Sequence, residues 1–240
     1  KDFAELGVTT NKPVIARLNN NKWAAIVGYG YNNSSNKAGL LVIDLENGNV
    51  IKRLETASGV PNGVGQVEGW DANGDGNTDW FFAGDILGNI WKFDLSSTNT
   101  ALWNVAYEGQ PLFTAVDNSG NPQAITGGVT LTPELETGYL WLFFGSGKML
   151  SAEDPLRSDE NTWYGIRDGL VISGRSDLKA REIIAQEDNA RVIESGTPND
   201  MTGLRGWYID LADDRERIVN RPQLLGSSLV VNTIVPGDND

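Results

Sequence analysis

Hydrophobic and polar residues alternate over short stretches along most of the chain, which is the pattern of β-strands with one buried face. Near the start of the chain, this alternation predicts four strands, at 14–18, 23–27, 40–45 and 50–54. Asn47-Gly48 lies between the last two, and a type I′ hairpin turn needs the positive φ angles that Asn and Gly tolerate. We expect these four strands to form one antiparallel unit.

The alternation continues in three further groups of strands. The second group is predicted to hold a polar loop at 71–79 and strands at 80–83, 90–95 and 103–107. The third begins near Ala124 and has strands at 139–144 and 162–167. The fourth is predicted at 179–186, 191–194, 206–211, 217–219 and 228–234, with a turn at Asp188-Asn189. No segment has sustained helical periodicity, so an all-β protein is expected.

A short motif recurs near the ends of these strands. V-I-D-L ends at residue 45, K-F-D-L at 95 and Y-I-D-L at 211, with W-Y-G-I-R-D at 163–168 as a looser copy. Four-stranded units of about 40–50 residues with such a signature are typical of a β-propeller. The chain is therefore predicted to be one β-propeller segment over 1–240, with about four antiparallel blades. The aspartates of the motif are expected to cap turns: Asp44, Asp94, Asp168 and Asp210.

The polar loop at 71–79 has the spacing of a calcium site. Five residues with oxygen-bearing side chains stand at alternate positions: Asp71, Asn73, Asp75, Asn77 and Asp79. Ca²⁺ takes about six to eight oxygen ligands, and alternate residues of a tightly wound loop point toward one centre. Asn77 is expected to contribute its backbone carbonyl and Asp79 its carboxylate, directly or through water. The alternative is a solvated turn, since Asp, Asn and Gly also favour plain turns.

The loop differs from the helical EF-hand version of a calcium loop. An EF-hand requires a bidentate Glu at its twelfth position, and Phe82 stands there in this chain. The residues that follow, 80–83, are typical of a buried strand rather than a helix. Gly88-Asn89 then turns the chain, so the loop is predicted to lead into a β-hairpin.

Composition narrows the classes of function. Nineteen basic and thirty-two acidic residues give a net charge of −13, which disfavours binding to nucleic acid or anionic membranes. Cysteine and histidine are both absent, which excludes disulfides, thiol catalysis, histidine-dependent triads and imidazole zinc sites. No apolar run reaches the length of about 18 residues that a membrane helix needs, and no secretion signal is visible. The chain begins at Lys1 without Met, which suggests a segment of a longer protein.

No catalytic motif is complete. Gly145–Lys148 would need Gly and Ser or Thr where Leu142 and Met149 stand to form a phosphate loop. Gly28-Tyr29-Gly30 lacks the third glycine of a dinucleotide site. Glu153-Asp154 are adjacent rather than opposed across a cleft, and we expect both to be solvated. The eight tryptophans are expected to fill the space between sheets rather than to form a quinone or carbohydrate platform.

Six stretches in order carry a resemblance to a known family. They are the loop at 71–79 followed by A-G-D-I-L-G-N-I-W-K-F-D, the start K-P-V-I-A-R-L with K-W-A-A-I-V-G-Y-G-Y-N, P-L-F-T-A at 111–115, L-F-F-G-S-G-K-M-L at 142–150, W-Y-G-I-R-D at 163–168, and G-W-Y-I-D-L with E-R-I-V-N-R-P at 206–222. Together they closely resemble the C-terminal β-propeller of the PilC/PilY family of type IV pilus proteins.

The resemblance implies a large, tip-associated adhesin and pilus-biogenesis factor, at the pilus tip, outer membrane or exterior of a Gram-negative bacterium. Its propeller would bind Ca²⁺ and so regulate pilus extension and retraction, twitching motility and surface adhesion. The implied partners are minor pilins at the pilus tip, with host-surface receptors as further candidates. By position, the family's calcium ligands correspond to Asp71, Asn73, Asp75, the backbone of Asn77, and Asp79.

The sequence departs from the family's pattern in two ways, and two alternative functions are still to be considered. Glu68-Gly69-Trp70 replaces the usual Val-Asp lead-in to the loop, and the family's N-terminal adhesive domain is absent from this sequence. A quinoprotein-like dehydrogenase would also be a tryptophan-rich propeller that uses Ca²⁺, although its ion sits beside a cofactor in the central channel. A propeller with a purely structural calcium site is the other alternative. We expect a protein that is not an enzyme.

Overall fold

The structure is a computed structural model that describes residues 3, 5–9, 11–56, 60–187, 190–197 and 199–237. Within these residues it contains eighteen strands and four 3₁₀ helices of three residues each, and no α-helix. The all-β prediction is therefore confirmed for the described part of the chain. The residues group into two compact units, Lys1–Leu112 and Phe113–Asp240.

The first unit contains eight strands and two 3₁₀ helices. The strands are β1 (Val14–Arg17), β2 (Trp23–Gly28), β3 (Gly39–Asp44), β4 (Val50–Glu55), β5 (Val64–Trp70), β6 (Trp80–Asp85), β7 (Asn89–Asp94) and β8 (Asn104–Val105). The helices are η1 (Thr100–Leu102) and η2 (Tyr107–Gly109).

The second unit contains ten strands and two 3₁₀ helices. The strands are β9 (Phe113–Thr114), β10 (Thr130–Pro133), β11 (Leu140–Gly145), β12 (Thr162–Arg167), β13 (Lys179–Ala180), β14 (Ile183–Glu187), β15 (Ala190–Ile193), β16 (Gly206–Asp210), β17 (Gln223–Leu225) and β18 (Ser228–Val230). The helices are η3 (Asp154–Leu156) and η4 (Arg175–Asp177).

The first sheet confirms the four-stranded unit predicted near the start of the chain. Its strands follow sequence order, β1-β2-β3-β4, and all pairs are antiparallel. Gly48 has φ +68 at the predicted hairpin turn, and its N–H donates to the Asp44 carbonyl at 2.7 Å. Asn47 does not have the positive φ of a type I′ turn, so that turn type is wrong: the Asp44 N–H donates to the Asn49 carbonyl at 2.8 Å, and the loop spans four residues, 45–48. Asp44 also accepts from the Glu46 N–H at 2.9 Å, so its predicted role as a turn cap is confirmed.

The second sheet has the order β5-β6-β7-β8 and includes a strand that the sequence did not indicate. Strand β5 pairs antiparallel with β6, with Trp70 opposite Trp80, so the 71–79 loop joins two paired strands. Gly65, Gln66 and Gly69 interrupt the apolar alternation of β5, which explains why it was missed. Strand β8 covers only two residues of the predicted 103–107, because η1 and η2 flank it.

A single apolar core lies between the strands of the first unit. Alternate residues of the central strands face it, as period-two patterning requires. The core includes Ala16, Leu18, Ala24, Ile26, Leu40, Val42, Leu54, Val64, Val67, Phe81, Ala83, Trp91, Phe93, Leu95 and Trp103. Trp91 and Trp103 are buried as predicted, whereas Trp23 is 56% exposed, contrary to the expectation that the tryptophans fill the interior.

The third sheet corrects the prediction of a fourth four-stranded unit. Its order is β10-β11-β12-β16-β13, so β16 belongs to this sheet and pairs antiparallel with β12. Gly165 permits this pairing, because a Cβ there would lie 2.5 Å from the ring of Trp207. The predicted strand at 179–186 is divided between β13, which pairs with β16, and β14, which forms a hairpin with β15. The predicted strand at 228–234 is shortened to β18, whose partner β17 was not predicted, and at 217–219 the structure has only an isolated bridge from Arg217 to Ile234. The predicted turn at Asp188-Asn189 lies outside the described residues.

A buried arginine ties η4 to the third sheet. The Arg175 guanidinium donates to both carboxylate oxygens of Asp210, at 2.8 and 3.0 Å, and to Thr162 Oγ1 at 2.7 Å. It also lies over the Tyr208 ring at 4.5 Å and donates to the Tyr164 hydroxyl at 3.2 Å. Burial raises the pKa of Tyr164 to about 12, so this hydroxyl stays protonated at neutral pH. Asp210 therefore binds an arginine, and the prediction that it caps a turn is wrong.

Replacing Arg175 by alanine is expected to lower the free energy of unfolding by about 2–3 kcal/mol, the scale of hydrogen bonds to a charged group. Arg175→Lys should recover only part of this loss, because an ammonium lacks the planar fork that matches the Asp210 carboxylate. Urea unfolding measures both variants. Arg157→Ala is the control: its bidentate pair with Asp159 is exposed and should contribute less than about 1 kcal/mol. Equal losses at the two arginines would contradict the assignment.

Candidate metal site

The base of the 71–79 loop is fixed by backbone hydrogen bonds within the first unit. The Asp79 N–H donates to the Trp70 carbonyl at 2.9 Å, which closes the loop on itself. The Thr78 N–H donates to the Arg17 carbonyl at 2.8 Å, and the Asp79 carbonyl accepts from the Leu95 N–H at 2.8 Å. The loop is therefore anchored on the first and second sheets, while residues 72–76 are exposed.

Inside the loop, the predicted ligand side chains accept hydrogen bonds from the backbone that follows them. The Asp71 carboxylate accepts from the N–H groups of Gly74 and Gly76, at 2.7 and 2.8 Å. Asn73 Oδ1 accepts from the Asp75 N–H at 2.9 Å, and Asp75 Oδ1 accepts from the Asn77 N–H at 2.8 Å. These are the local turns that Asp and Asn side chains favour. They wind the chain tightly, since each side-chain oxygen is held against a backbone N–H of the loop itself.

Two glycines make this winding possible. Gly74 has φ +76 and Gly76 has φ +86, in the left-handed region where a side chain is strained.

Asp79, the last of the five predicted ligand residues, lies on the buried side of the loop. Its side chain is 3% exposed; Oδ2 accepts from the Ala72 N–H at 2.8 Å and Oδ1 accepts from Asn19 Nδ2 at 2.9 Å. Asn19 also donates to the Leu95 carbonyl at 3.3 Å. The sequence analysis did not single out Asn19, because its contact with Asp79 spans sixty residues of chain. The only sequence signal for this contact was the length of the connection between the strands at 14–18 and 23–27, which holds more Asn residues than a two-residue turn needs.

The electrostatics of the loop favour the charged form of Asp75. The backbone N–H of Asn77 is the main cause that holds the pKa of Asp75 below its usual range, and the side-chain amides of Asn77 and Asn73 and the charge of Arg17 act in the same direction. An ionised carboxylate only accepts, and each of its oxygens has two lone pairs. The loop oxygens can therefore keep these hydrogen bonds and still face a cation.

One buried side-chain oxygen of the loop has no hydrogen-bond donor. Asn77 Oδ1 is buried and unpaired, which is costly unless another electropositive partner approaches it. The sequence predicted the backbone carbonyl of Asn77 as the ligand, and the structure also makes its side-chain oxygen available. The donors are all oxygens, the class that Ca²⁺ prefers, so the residues fit this ion by chemistry.

Carboxylates alone would not hold a metal ion at this site. Across the residues that the structure describes, no group of three or more Asp, Glu, His or Cys side chains is arranged to do so. A cation in the loop would therefore need the asparagine oxygens and backbone carbonyls as well as Asp71, Asp75 and Asp79. The predicted mixed set of five residues has this composition, and its assignment stays a prediction.

Comparison with known proteins gives the family. The model of the PilY1 beta-propeller domain matches residues 1–177, nearly three quarters of the chain. The chain belongs to the PilY1 beta-propeller domain family. This result confirms the family suggested by the sequence and the predicted β-propeller class.

Curated PilY1 proteins match almost the whole chain. It is 34% identical over 97% of its length to a type IV pilus biogenesis factor PilY1 homolog of Xylella fastidiosa, and 33% identical over 98% to the type IV pilus biogenesis factor PilY1 of Pseudomonas aeruginosa PAO1. The crystal structure of the P. aeruginosa PilY1 C-terminal domain superposes with a TM-score of 0.86 at 30% identity, over 98% of this chain and 58% of that one. The chain spans 18% and 24% of the lengths of the two curated relatives.

The PilY1-type hairpin that follows the loop contains a buried carboxylate that the sequence analysis did not single out. Asp85 is fully buried at the end of β6. Its Oδ1 accepts from the N–H groups of Leu87 and Asn89, both at 2.9 Å. Its Oδ2 accepts from Asn62 Nδ2 and Trp91 Nε1, both at 2.7 Å, and from Asn89 Nδ2 at 2.9 Å. The sequence signal for this buried carboxylate was an Asp just before the glycine turn in A-G-D-I-L-G-N-I-W. The sequence analysis connected that stretch only with the family resemblance.

One further site prediction is wrong. Asp154 is 3% exposed rather than solvated, and its carboxylate accepts from the N–H groups of Leu150 and Ser151 at 2.8 and 3.0 Å. It is buried because it folds the preceding loop back onto η3. Glu153 is exposed, as predicted. Among the described residues, no helix is long and apolar enough to cross a membrane.

Proposed function

We propose that this chain is the calcium-binding part of a type IV pilus biogenesis factor, and that it acts by binding rather than by catalysis. Its relatives are named for pilus biogenesis, which supports this assignment. The single observation that carries the calcium proposal is the 71–79 loop, where five alternating residues present oxygens and one of these oxygens, Asn77 Oδ1, lacks a donor.

Occupancy of the loop would act on the fold through its anchors. Asp71 and Asp79 stand at the two ends of the loop, and an ion bound by both would fix them relative to each other. Because the loop is hydrogen-bonded to Arg17 and Leu95, this constraint would stiffen the junction between the first two sheets. Binding would stabilise the folded state by RT ln(1 + [Ca]/Kd), about 2.7 kcal/mol at a hundredfold excess of calcium over Kd.

We further propose that calcium occupancy regulates pilus extension and retraction, and through them twitching motility and surface adhesion. The protein would act at the pilus tip or cell surface of a Gram-negative bacterium, with minor pilins as partners and host-surface receptors as further candidates. Three carboxylates without a bidentate Glu favour an affinity in the sensor range, a Kd of about 10⁻⁷ to 10⁻⁵ M or weaker. An ion bound in this range would come and go as calcium changes, as a regulatory site requires.

A calcium titration of the chelator-treated chain tests the proposal. Calorimetry should show one site with a micromolar Kd, and thermal melts should show a modest rise of Tm with calcium. The matched titration is with Mg²⁺, which needs near-ideal octahedral geometry and should bind more weakly. Absence of both heat and Tm shift with Ca²⁺ would refute calcium binding. A Kd of about 10⁻⁸ M or below would instead indicate a permanently filled structural site.

A further inference from the structure

We propose that Asn73-Gly74 is a site of spontaneous deamidation, and that this modification changes both the charge and the backbone of the 71–79 loop. The reactivity is argued from the loop geometry alone. Its consequence for calcium rests on the proposed function.

The reaction needs only the chain and water. The backbone nitrogen of Gly74 attacks Cγ of the Asn73 side chain, so a new C–N bond forms and a succinimide ring closes. The bond from Cγ to Nδ2 breaks, and ammonia leaves with the proton that Gly74 gave up. Water then opens the ring at one of its two carbonyls. One opening gives aspartate, and the other gives isoaspartate, in which the backbone runs through the former side chain.

Both reacting groups of Asn73-Gly74 are polarised by their hydrogen bonds. The N–H of Gly74, which must lose its proton, donates to the Asp71 carboxylate at 2.7 Å. The side-chain carbonyl of Asn73, which is attacked at Cγ, accepts through Oδ1 from the Asp75 N–H at 2.9 Å. This hydrogen bond draws electron density from Cγ. Hydrogen bonds that involve an ionised partner are roughly twice as strong as neutral ones. The carboxylate is therefore the stronger acceptor for the departing proton.

Access to the site is also open. Asn73 and Gly74 are both exposed, and a Cβ added at Gly74 would meet no atom within 4 Å. Water can therefore reach the ring to hydrolyse it. Residues 71–78 lie outside the strand ladders, so the backbone can move as the ring closes.

The chain contains two other Asn-Gly pairs, which serve as internal comparisons. At Asn47-Gly48, the side chain is exposed, but the Gly48 N–H donates to a neutral backbone carbonyl, that of Asp44. As at Asn73, the side-chain oxygen of Asn47 accepts a backbone N–H, from Asn49 at 2.8 Å. Asn47 Nδ2 also donates to Asp44 Oδ2 at 3.2 Å, which holds the leaving amide, so this pair differs from Asn73-Gly74 in both the acceptor and the leaving group.

At Asn62-Gly63, the surroundings differ more. Asn62 is 4% exposed, and its Nδ2 donates to Asp85 Oδ2 at 2.7 Å, which holds the leaving amide in place. A Cβ on Gly63 would lie 2.4 Å from the Gly30 carbonyl oxygen, so the backbone there is closely packed. Water is excluded, and ring closure would disturb the core. The structure therefore predicts the order Asn73, then Asn47, then Asn62.

The two products would affect the loop in opposite ways. Aspartate at position 73 adds a fourth carboxylate at one of the alternating positions, which should tighten binding of a divalent cation. Isoaspartate lengthens the backbone and shifts the residues after it out of the alternating register, which should weaken binding. Aspartate and isoaspartate do not revert to asparagine without catalysis. Both products therefore accumulate with the age of the protein.

Incubation of the folded chain in chelator at mildly alkaline pH, followed by peptide mapping by mass spectrometry, tests the proposal. We expect conversion at Asn73 about threefold to tenfold faster than at Asn47, the range that one stronger hydrogen bond gives. Conversion at Asn62 should be the slowest. The same measurement in urea should bring the three rates together, because each asparagine precedes a glycine. If Asn47 or Asn62 converts as fast as Asn73 in the folded chain, the proposal is wrong.

Two further measurements, on an Asp71 variant and on the unmodified chain with calcium added, distinguish deamidation at Asn73 from calcium binding. Asp71→Asn keeps an acceptor but removes its charge, so it should slow conversion at Asn73 and leave the rate at Asn47 unchanged. An unchanged rate at Asn73 would refute the role of the carboxylate. With calcium added to the unmodified chain, slower conversion at Asn73 alone would support both proposals. If calcium has no effect and Asn73 still converts first, the deamidation site stands and calcium binding fails.

Discussion

Replacing Asp85 by alanine is expected to lower the free energy of unfolding of the first unit by about 3–5 kcal/mol, the cost of removing one partner from a buried charged network. Asp85 accepts five hydrogen bonds within the hairpin of β6 and β7 and from Asn62. Without the carboxylate, the two buried side-chain donors, Asn62 Nδ2 and the indole N–H of Trp91, would lose this acceptor. A domain with a total stability of about 5–15 kcal/mol would be close to unfolding at ambient temperature.

Urea unfolding followed by tryptophan fluorescence measures this loss. Asp85→Asn is expected to cost less but still more than about 1 kcal/mol. Whichever oxygen the amide nitrogen replaces, at least two N–H donors would then face another donor. Asp94→Asn is the matched control, because Asp94 lies at the end of the next strand and accepts from the backbone N–H and the hydroxyl of Ser96, which is exposed. If Asp85→Ala costs no more than Asp94→Asn, Asp85 does not organise the hairpin.

Asp75→Ala is expected to abolish calcium binding while leaving the fold largely intact. Asp75 lies at the centre of the five alternating positions, so its loss removes a charged donor that neighbouring residues cannot replace. Its side chain is exposed and accepts one backbone hydrogen bond within the local turn, from the Asn77 N–H at 2.8 Å. In chelator the substitution should therefore change the free energy of unfolding by less than about 1 kcal/mol. Calorimetric titration and thermal melts measure the two effects separately.

The control for this variant is Asp117→Ala in the second unit. Asp117 also begins a turn of Asn, Ser and Gly residues, and it accepts from the N–H groups of Ser119 and Asn121, both at 2.8 Å. That turn lacks further carboxylates at alternate positions, so its loss should leave the calcium isotherm unchanged. An unaltered calcium affinity in Asp75→Ala would rule out the ligand assignment. Equal loss of binding in both variants would indicate that the calcium acts elsewhere.

The sequence by itself determined the features that depend on residues close together in the chain. The hairpin at 45–48 follows from local chemistry, since Gly48 adopts φ +68 and the Asp44 carboxylate accepts from the Glu46 N–H two residues ahead. The oxygen-rich winding of 71–79 follows from side chains that bond the backbone two to five residues ahead. The strands of the first sheet follow from their period-two alternation. Such local patterns can be read without knowing what packs against them.

Tertiary structure alone decided the features that depend on residues far apart. The sequence placed β16 in a fourth unit, but Gly165 leaves room for Trp207 and Arg175 binds Asp210, so the strand joins β12 instead. Asn19 holds Asp79 across sixty residues. The burial of Asp85 and Asp154 depends likewise on which surfaces meet. From sequence alone, an aspartate is equally suited to solvent, to a turn, or to a buried position where several hydrogen-bond donors surround it. Only the packing of the whole chain decides which of these environments it occupies.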